Sequence, residues 1–190
     1  MKVYFDTEFT GLRKDTTLIS IGLIAENGNT FYAEFTDYDR SQCDEWIVEN
    51  VISKLLFNDS TPWKGNGVTD VKMCGDKKEV GYELEYWLDQ FDEVQFVSDV
   101  CHYDMTLLID LLAETALDLP KNISPVCYDI NQDIAYFYNI SQKKAFDMSR
   151  EQIVEEMYGP LDRMVFISEK HNALYDAEII KMIHEGLDFL

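Results

Sequence analysis

The sequence predicts an α/β fold built on a sheet of mixed strand direction, and three observations carry that prediction. Residues 2–9 alternate apolar and polar side chains as a strand does, and LISIGLIA follows as a nearly continuous apolar run. Asn27-Gly28 then marks a tight hairpin into TFYAEFT, so three antiparallel strands open the chain. Further on, the short apolar stretch VQFVSDV feeds directly into the helical pattern of HYDMTLLIDLL, a strand-to-helix alternation that goes with a layered sheet.

Between these landmarks, Thr10 to Thr16 is polar and reads as a connection. Ser41 is the predicted cap of a helix through about Leu56, with Trp46, Val51, Ile52 and Leu55 at helical spacing. NDSTPWKGNG, at 58–67, is turn-rich. A second helix is expected from about Lys77 to Phe91, where Tyr82, Leu84, Tyr86, Trp87 and Leu88 give a broad apolar surface. From Pro120 to Met148 the pattern gives one helix around Asp129–Tyr138 and a lysine-rich polar loop. SREQIVEEMYG is a further helix ended by Gly159-Pro160, and the last runs from about Ala173 to Leu187. No repeat, low-complexity tract or linker interrupts the 190 residues, a length suited to one domain spanning 1–190.

Composition narrows function by exclusion. With 16 lysines and arginines against 36 acids, the formal net charge is −20. That argues against holding long duplexes by nonspecific phosphate contacts, which depend on basic side chains displacing counterions. Any nucleic acid must be gripped locally. MKVYFDTEF lacks the pattern of a signal peptide, and no apolar run is long enough to span a membrane, so a cytoplasmic protein is expected. Cys43, Cys74, Cys101 and Cys127 form no CxxC pair, and the expectation is four reduced cysteines.

Chemistry is concentrated in acids placed on inward faces. Asp6 and Glu8 are two apart on a strand and share one pleat face, while Val3, Phe5, Thr7 and Phe9 point the other way. Asp104 is in register with Leu107, Leu108, Leu111 and Leu112, and Asp176 shares its stripe with Ala173, Ala177, Ile180, Ile183 and Leu187. Burying even one unpaired carboxylate costs several kcal/mol, roughly, so converging acids imply cations. His171 is five residues before Asp176, which on one helix would turn it roughly 140° away, so it belongs before the helix start. A histidine there suits a general base acting on water. The set is that of a phosphodiesterase with two divalent ions about 4 Å apart, Asp6 bridging them, Glu8 and Asp176 completing one and Asp104 reaching the other. Hard oxygen ligands favour Mg²⁺ or Mn²⁺.

DTEFTG at 6–11, SDVCHYD at 98–104 and HNALYD at 171–176, in this order, resemble the three signatures of the DEDDh class of 3′-to-5′ exonucleases, which includes ribonuclease T, oligoribonuclease and polymerase proofreading subunits. DTEFTGLRKDTTLISIGLIAENGNTFYAEFTDYD and EWIVENVISKL look most like the mycobacterial-type exoribonuclease subfamily that also takes in phage exonuclease A. The likeness covers residues 3 to about 56, 94–112 and 171–185. It implies a ribonuclease H-like exonuclease fold, a mixed central sheet with helices on both faces. It also implies Asp6, Glu8, Asp104 and Asp176 as the metal-binding acids, His171 as the class histidine, a homodimer, and single-stranded RNA or DNA 3′ ends as substrate. Thr7, Phe9, Thr10 and Gly11, after the first motif, are the implied contacts to the 3′-terminal nucleotide. The sequence departs from the class at Ser98-Asp99-Val100, where Gly-His-Asn is frequent, and this adds Asp99 as an acid without a role.

Other polar and aromatic residues have plainer readings. His102 is expected in a partly buried structural role, His184 on the surface or as a satisfied core histidine, and Asp99 as a helix cap or a supporting acid. Lys121, Lys143, Lys144 and Lys170 form either a basic rim or solvated faces. Trp46, Tyr82, Tyr86 and Trp87 are read as core or dimer contacts rather than a stacking platform. The expected activity is a metal-dependent 3′-to-5′ exoribonuclease. Its rivals are an exodeoxyribonuclease, a catalytically silent acidic binding protein, and a hydrolase restricted to very short substrates.

Overall fold

In a computed structural model, residues 1–57, 63–64, 68–166 and 169–188 are described. In chain order the strands are β1 (Lys2–Phe9), β2 (Leu18–Ala25), β3 (Thr30–Phe35), β4 (Trp63–Lys64), β5 (Asp70–Gly75), β6 (Gln95–Ser98) and β7 (Tyr128–Asp129). The helices are α1 (Glu45–Asn50), α2 (Lys77–Leu88), α3 (Cys101–Leu112), α4 (Asn131–Phe137), α5 (Gln142–Phe146), α6 (Arg150–Tyr158) and α7 (Ala173–Asp188). The described strands form one sheet in the order β4-β5-β3-β2-β1-β6-β7. β1, β2 and β3 pair antiparallel, as the hairpin signal predicted, while β6 joins β1 in parallel and β5 joins β3 in parallel.

Period-two alternation sends each face of β1 into a different core. Val3 and Phe5 pack with Ile21, Leu23 and Phe96 under α2 and α3, where Leu84, Trp87 and Leu108 are buried. Tyr4, on the opposite face, packs with Val97 and with Ile179, Ile180 and Ile183 of α7. Helices therefore cover both faces. The continuous apolar run of β2 is buried at every position, as a central strand requires.

Several element boundaries differ from expectation for local reasons. Asp44, not Ser41, caps α1 by accepting the Ile47 N–H at 2.9 Å, and the helix stops at Asn50 before a 3-10 turn at Ile52–Lys54. The lysine-rich stretch read as a loop holds α5, capped by Ser141. β7 is two residues long, too short to leave a periodic trace. The turn-rich stretch expected at 58–67 lies outside the described residues, apart from β4. The expectation of four reduced cysteines is corrected at two positions: Cys101, opening α3, and Cys127, just before β7, are joined as a disulfide. They meet because β7 pairs with β6, the strand that leads into α3, a tertiary neighbourhood hidden by a separation of 26 residues. No described helix is long and apolar enough to cross a membrane.

Candidate active site

Asp6 and Glu8 project from the β1 face that carries Tyr4, toward α7. What lets α7 approach is Gly22, the β2 residue paired with Asp6: a Cβ there would collide with the backbone of Ala173 and Leu174. A glycine inside a strand allows this close passage. The first turn of α7 rests on the sheet, and Asp176 on that turn reaches the end of β1. Asp104 arrives from the other side, in the first turn of α3, and is 2% exposed. Its two carboxylate oxygens accept the hydroxyls of Thr7 at 2.7 Å and Ser98 at 2.5 Å.

These acids open onto one cleft of about 350 Å³. Ligand atoms of Glu8, His171 and Asp176 lie within 4.8 Å of one another, and so do carboxylate oxygens of Asp6, Asp99 and Asp104. Burial pushes the Asp6 and Glu8 carboxyls well above the usual range, and repulsion from the neighbouring acids pushes in the same direction. Burial raises Asp104 to about 7, against the pull of its Ser98 and Thr7 hydrogen bonds. Asp176 rises to about 7, mainly by burial and then by the charges of Asp99 and Glu151. Four acids that resist ionisation in one cleft form a site short of positive charge, with the Arg150 guanidinium in its lining tied to Asp99.

His171 sits where the spacing placed it, two residues before α7. Its backbone has φ +64, and its N–H donates to Asp176 Oδ2 at 3.0 Å. Burial, with Lys170 and Lys54 nearby, lowers its imidazole below the ordinary value, which favours the neutral ring. Asn172 anchors the turn from behind, donating to the Tyr32 hydroxyl at 2.8 Å and to the Lys54 carbonyl at 3.1 Å. Tyr32 in turn donates to buried Glu34 at 2.8 Å. Trp46 stands edge-on to His171 with ring centroids 5.3 Å apart.

Residues implied after the first motif divide. Thr7 and Phe9 both line the cleft, the Thr7 hydroxyl donating to Asp104. Thr10 is buried, its hydroxyl bonded to Gln42 and to the Thr17 N–H, and is not directed at the cleft. Gly11, at φ +140, lines an adjoining cleft of about 610 Å³ that Phe9 and Tyr103 separate from the first.

His102 is exposed rather than partly buried, and stacks on Tyr103 at 4.1 Å. His184 is a core histidine against Tyr4 and Tyr128, with Nε2 2.8 Å from Lys2 Nζ. Asp99 is no helix cap: it pairs with Arg150 at 2.8 Å. Lys170 pairs with Glu151, and Lys143 and Lys144 lie exposed on α5. Trp87 is core, Tyr82 and Tyr86 are exposed on α2, and Trp46, 54% exposed, borders the site instead of the core. Sequence reasoning missed Ser98, Arg150, Trp46 and Gly22 as parts of the site. Only Gly22, an isolated glycine in a strand, carried a local signal.

No protein-family model matches the chain. Over 113 residues it is 29% identical to the 3′-5′ exoribonucleases of two Mycobacterium tuberculosis strains, a stretch covering 58% of this chain and 61% of each relative. Among solved structures it is similar to a 3′-exonuclease recognising the 3′ end of histone mRNA stem-loop, with TM-score 0.63, 12% identity, and coverage of 98% of this chain and 63% of that one. It is also similar to the RNase domain of the yeast Pop2 protein, with TM-score 0.58, 15% identity, and coverage of 98% and 75%. The chain thus shares a ribonuclease H-like exonuclease fold with these solved structures, and its matched stretch spans about three fifths of the length of the curated relatives.

Proposed function

We propose that the protein is a divalent-cation-dependent 3′-to-5′ exoribonuclease acting on single-stranded RNA ends or overhangs. The observation that carries this reading is the convergence of Asp6, Glu8, Asp104 and Asp176 with His171 in one cleft. The donor set fits hard cations: carboxylate oxygens predominate, no described cysteine joins the cluster, and the raised acids need a counter-charge to ionise. Glu8 and Asp176 would hold one Mg²⁺ or Mn²⁺, Asp104 the other, and Asp6 both. Bound there, the ions supply positive charge to the attacking and leaving oxygens at phosphorus.

His171 takes a proton from the attacking water on its free ring nitrogen. The water oxygen bonds to phosphorus as the bond to the preceding nucleotide's 3′-oxygen breaks and that oxygen takes a proton from solvent, giving a 5′-mononucleotide and a strand ending in a 3′-hydroxyl. Phe9 in the cleft lining and exposed Trp46 beside His171 are the aromatic side chains proposed to stack on the terminal base or pack on its sugar. A grip made of stacking and cation contacts needs little basic surface, which reconciles the reading with a net charge of −20. A homodimer remains part of the proposal, with the exposed Tyr82 and Tyr86 as its contact; sedimentation equilibrium reads the mass.

The test is digestion of a 5′-labelled single-stranded RNA and a matched DNA with Mg²⁺, Mn²⁺ or EDTA. The expected result is cation-dependent shortening from the 3′ end with release of mononucleotides, lost in Asp6→Asn. Preference for DNA would move the substrate assignment to an exodeoxyribonuclease. No cation-dependent cleavage of either strand would overturn the proposal.

A further inference from the structure

Resting on that cation reading, we infer that Asp99 is a fifth ligand of the site and that Arg150 is the positioning residue that aims it. Asp99 stands at the β6–α3 junction, with a carboxylate oxygen within 4.8 Å of those of Asp6 and Asp104. Both oxygens of Asp104 are already engaged by Thr7 and Ser98. Each Asp104 oxygen thus keeps one lone pair for a cation, while Asp99 gives Oδ2 to Arg150 and has Oδ1 to offer the same cation beside Asp6 and Asp104.

Arg150 opens α6 and is only 14% exposed. Its Nε donates to Asp99 Oδ2 at 2.8 Å, one terminal nitrogen donates to the Ala145 and Met148 carbonyls, and the other to Asn131 Oδ1 at 2.7 Å. Four of its five N–H groups are thus engaged, which leaves it poorly suited to grip substrate and well suited to hold a neighbour. Asn131 completes the frame by donating to the Asp99 carbonyl and to Asp129.

Charge favours the same arrangement. Five carboxylates and one guanidinium leave four negative charges in the cleft, the amount that two divalent cations neutralise. Without Arg150, Asp99 would add a further uncompensated charge beside Asp6.

The experiment is calorimetric titration of the full chain with Mn²⁺, without RNA, on wild type, Asp99→Asn, Arg150→Gln, the double variant and Asp6→Asn. Asp99→Asn is expected to weaken one of two sites by about 10- to 100-fold, and Arg150→Gln to weaken the same site by about 10-fold. The double variant should be no weaker than Asp99→Asn alone, because Arg150 acts through Asp99. Should Arg150→Gln fail to fold, Arg150→Lys, which keeps the charge and loses the fork, is expected to show the same weakened site. Wild-type Mn²⁺ affinity in Asp99→Asn, with binding lost in Asp6→Asn, overturns this inference alone. Additive losses in the double variant overturn the role given to Arg150. Unchanged binding in Asp6→Asn overturns the cation reading itself, and this inference with it.

Discussion

Floor and rim of the cleft are built by different means. Asp6, Glu8, Asp104 and Asp176 stand on a strand and two helices, fixed by the packing of both cores. His171 and Trp46 border the opening, the first on a turn at φ +64, the second on the short α1. Repelling carboxylates must be held by rigid elements, since nothing else keeps them together before cations arrive. The proton acceptor proposed for His171 would have to meet a water that is not held by the fold, and a turn anchored through Asn172 gives it a defined place outside the helix ladder. In the proposed function, the floor supplies the charge deficit and the rim the base.

Substitutions should separate the two. Asp6→Asn, at the floor, is expected to abolish cation-dependent cleavage of labelled RNA and to weaken Mn²⁺ binding by calorimetry. At the rim, His171→Asn suits the left-handed backbone. It should lower kcat by about 10²- to 10⁴-fold while leaving Mn²⁺ binding intact. Loss of binding in that variant would erase the distinction. With wild type and saturating cation, kcat should rise with pH through a value below the ordinary imidazole pKa if His171 is the proposed base, which accepts a proton only when neutral. Gly22→Ala wedges a methyl group between β2 and α7, so a loss of about 1–3 kcal/mol in denaturant unfolding is expected, with weakened cation binding because Asp176 moves. The smallest effect is assigned to Trp46→Ala, a rise in KM of about tenfold with kcat little changed, from the loss of roughly 1–3 kcal/mol of base stacking.

The floor was legible in the sequence and the rim only in part. Period two on 2–9 and helical register around Asp104 and Asp176 aim those side chains inward without tertiary knowledge, and the five-residue step to Asp176 excludes His171 from the helix. Trp46 was misplaced because its apolar stripe assumed a helix running to Leu56, whereas α1 ends at Asn50 and leaves the indole beside His171. Arg150 reads locally as the first residue of a helix after Ser149, and nothing near it announces a partner 51 residues away. The Cys101–Cys127 bond was invisible for the same reason. The mixed sheet and its antiparallel opening followed from hairpin chemistry, while the two-residue β7 was beyond any periodicity.

The most direct measurement is the unfolding midpoint of the cation-free protein across pH 5 to 8, repeated with Mn²⁺. Carboxyls whose folded pKa is raised contribute stability that is complete below their unfolded value of about 4 and is lost as pH rises through the folded value, about 7 for Asp104 and Asp176. The midpoint should therefore fall from pH 5 to pH 8 without cation, and Mn²⁺ should raise it most at pH 8, where the acids are ionised. A midpoint that ignores Mn²⁺ at every pH would contradict the view that this cleft is built to hold cations.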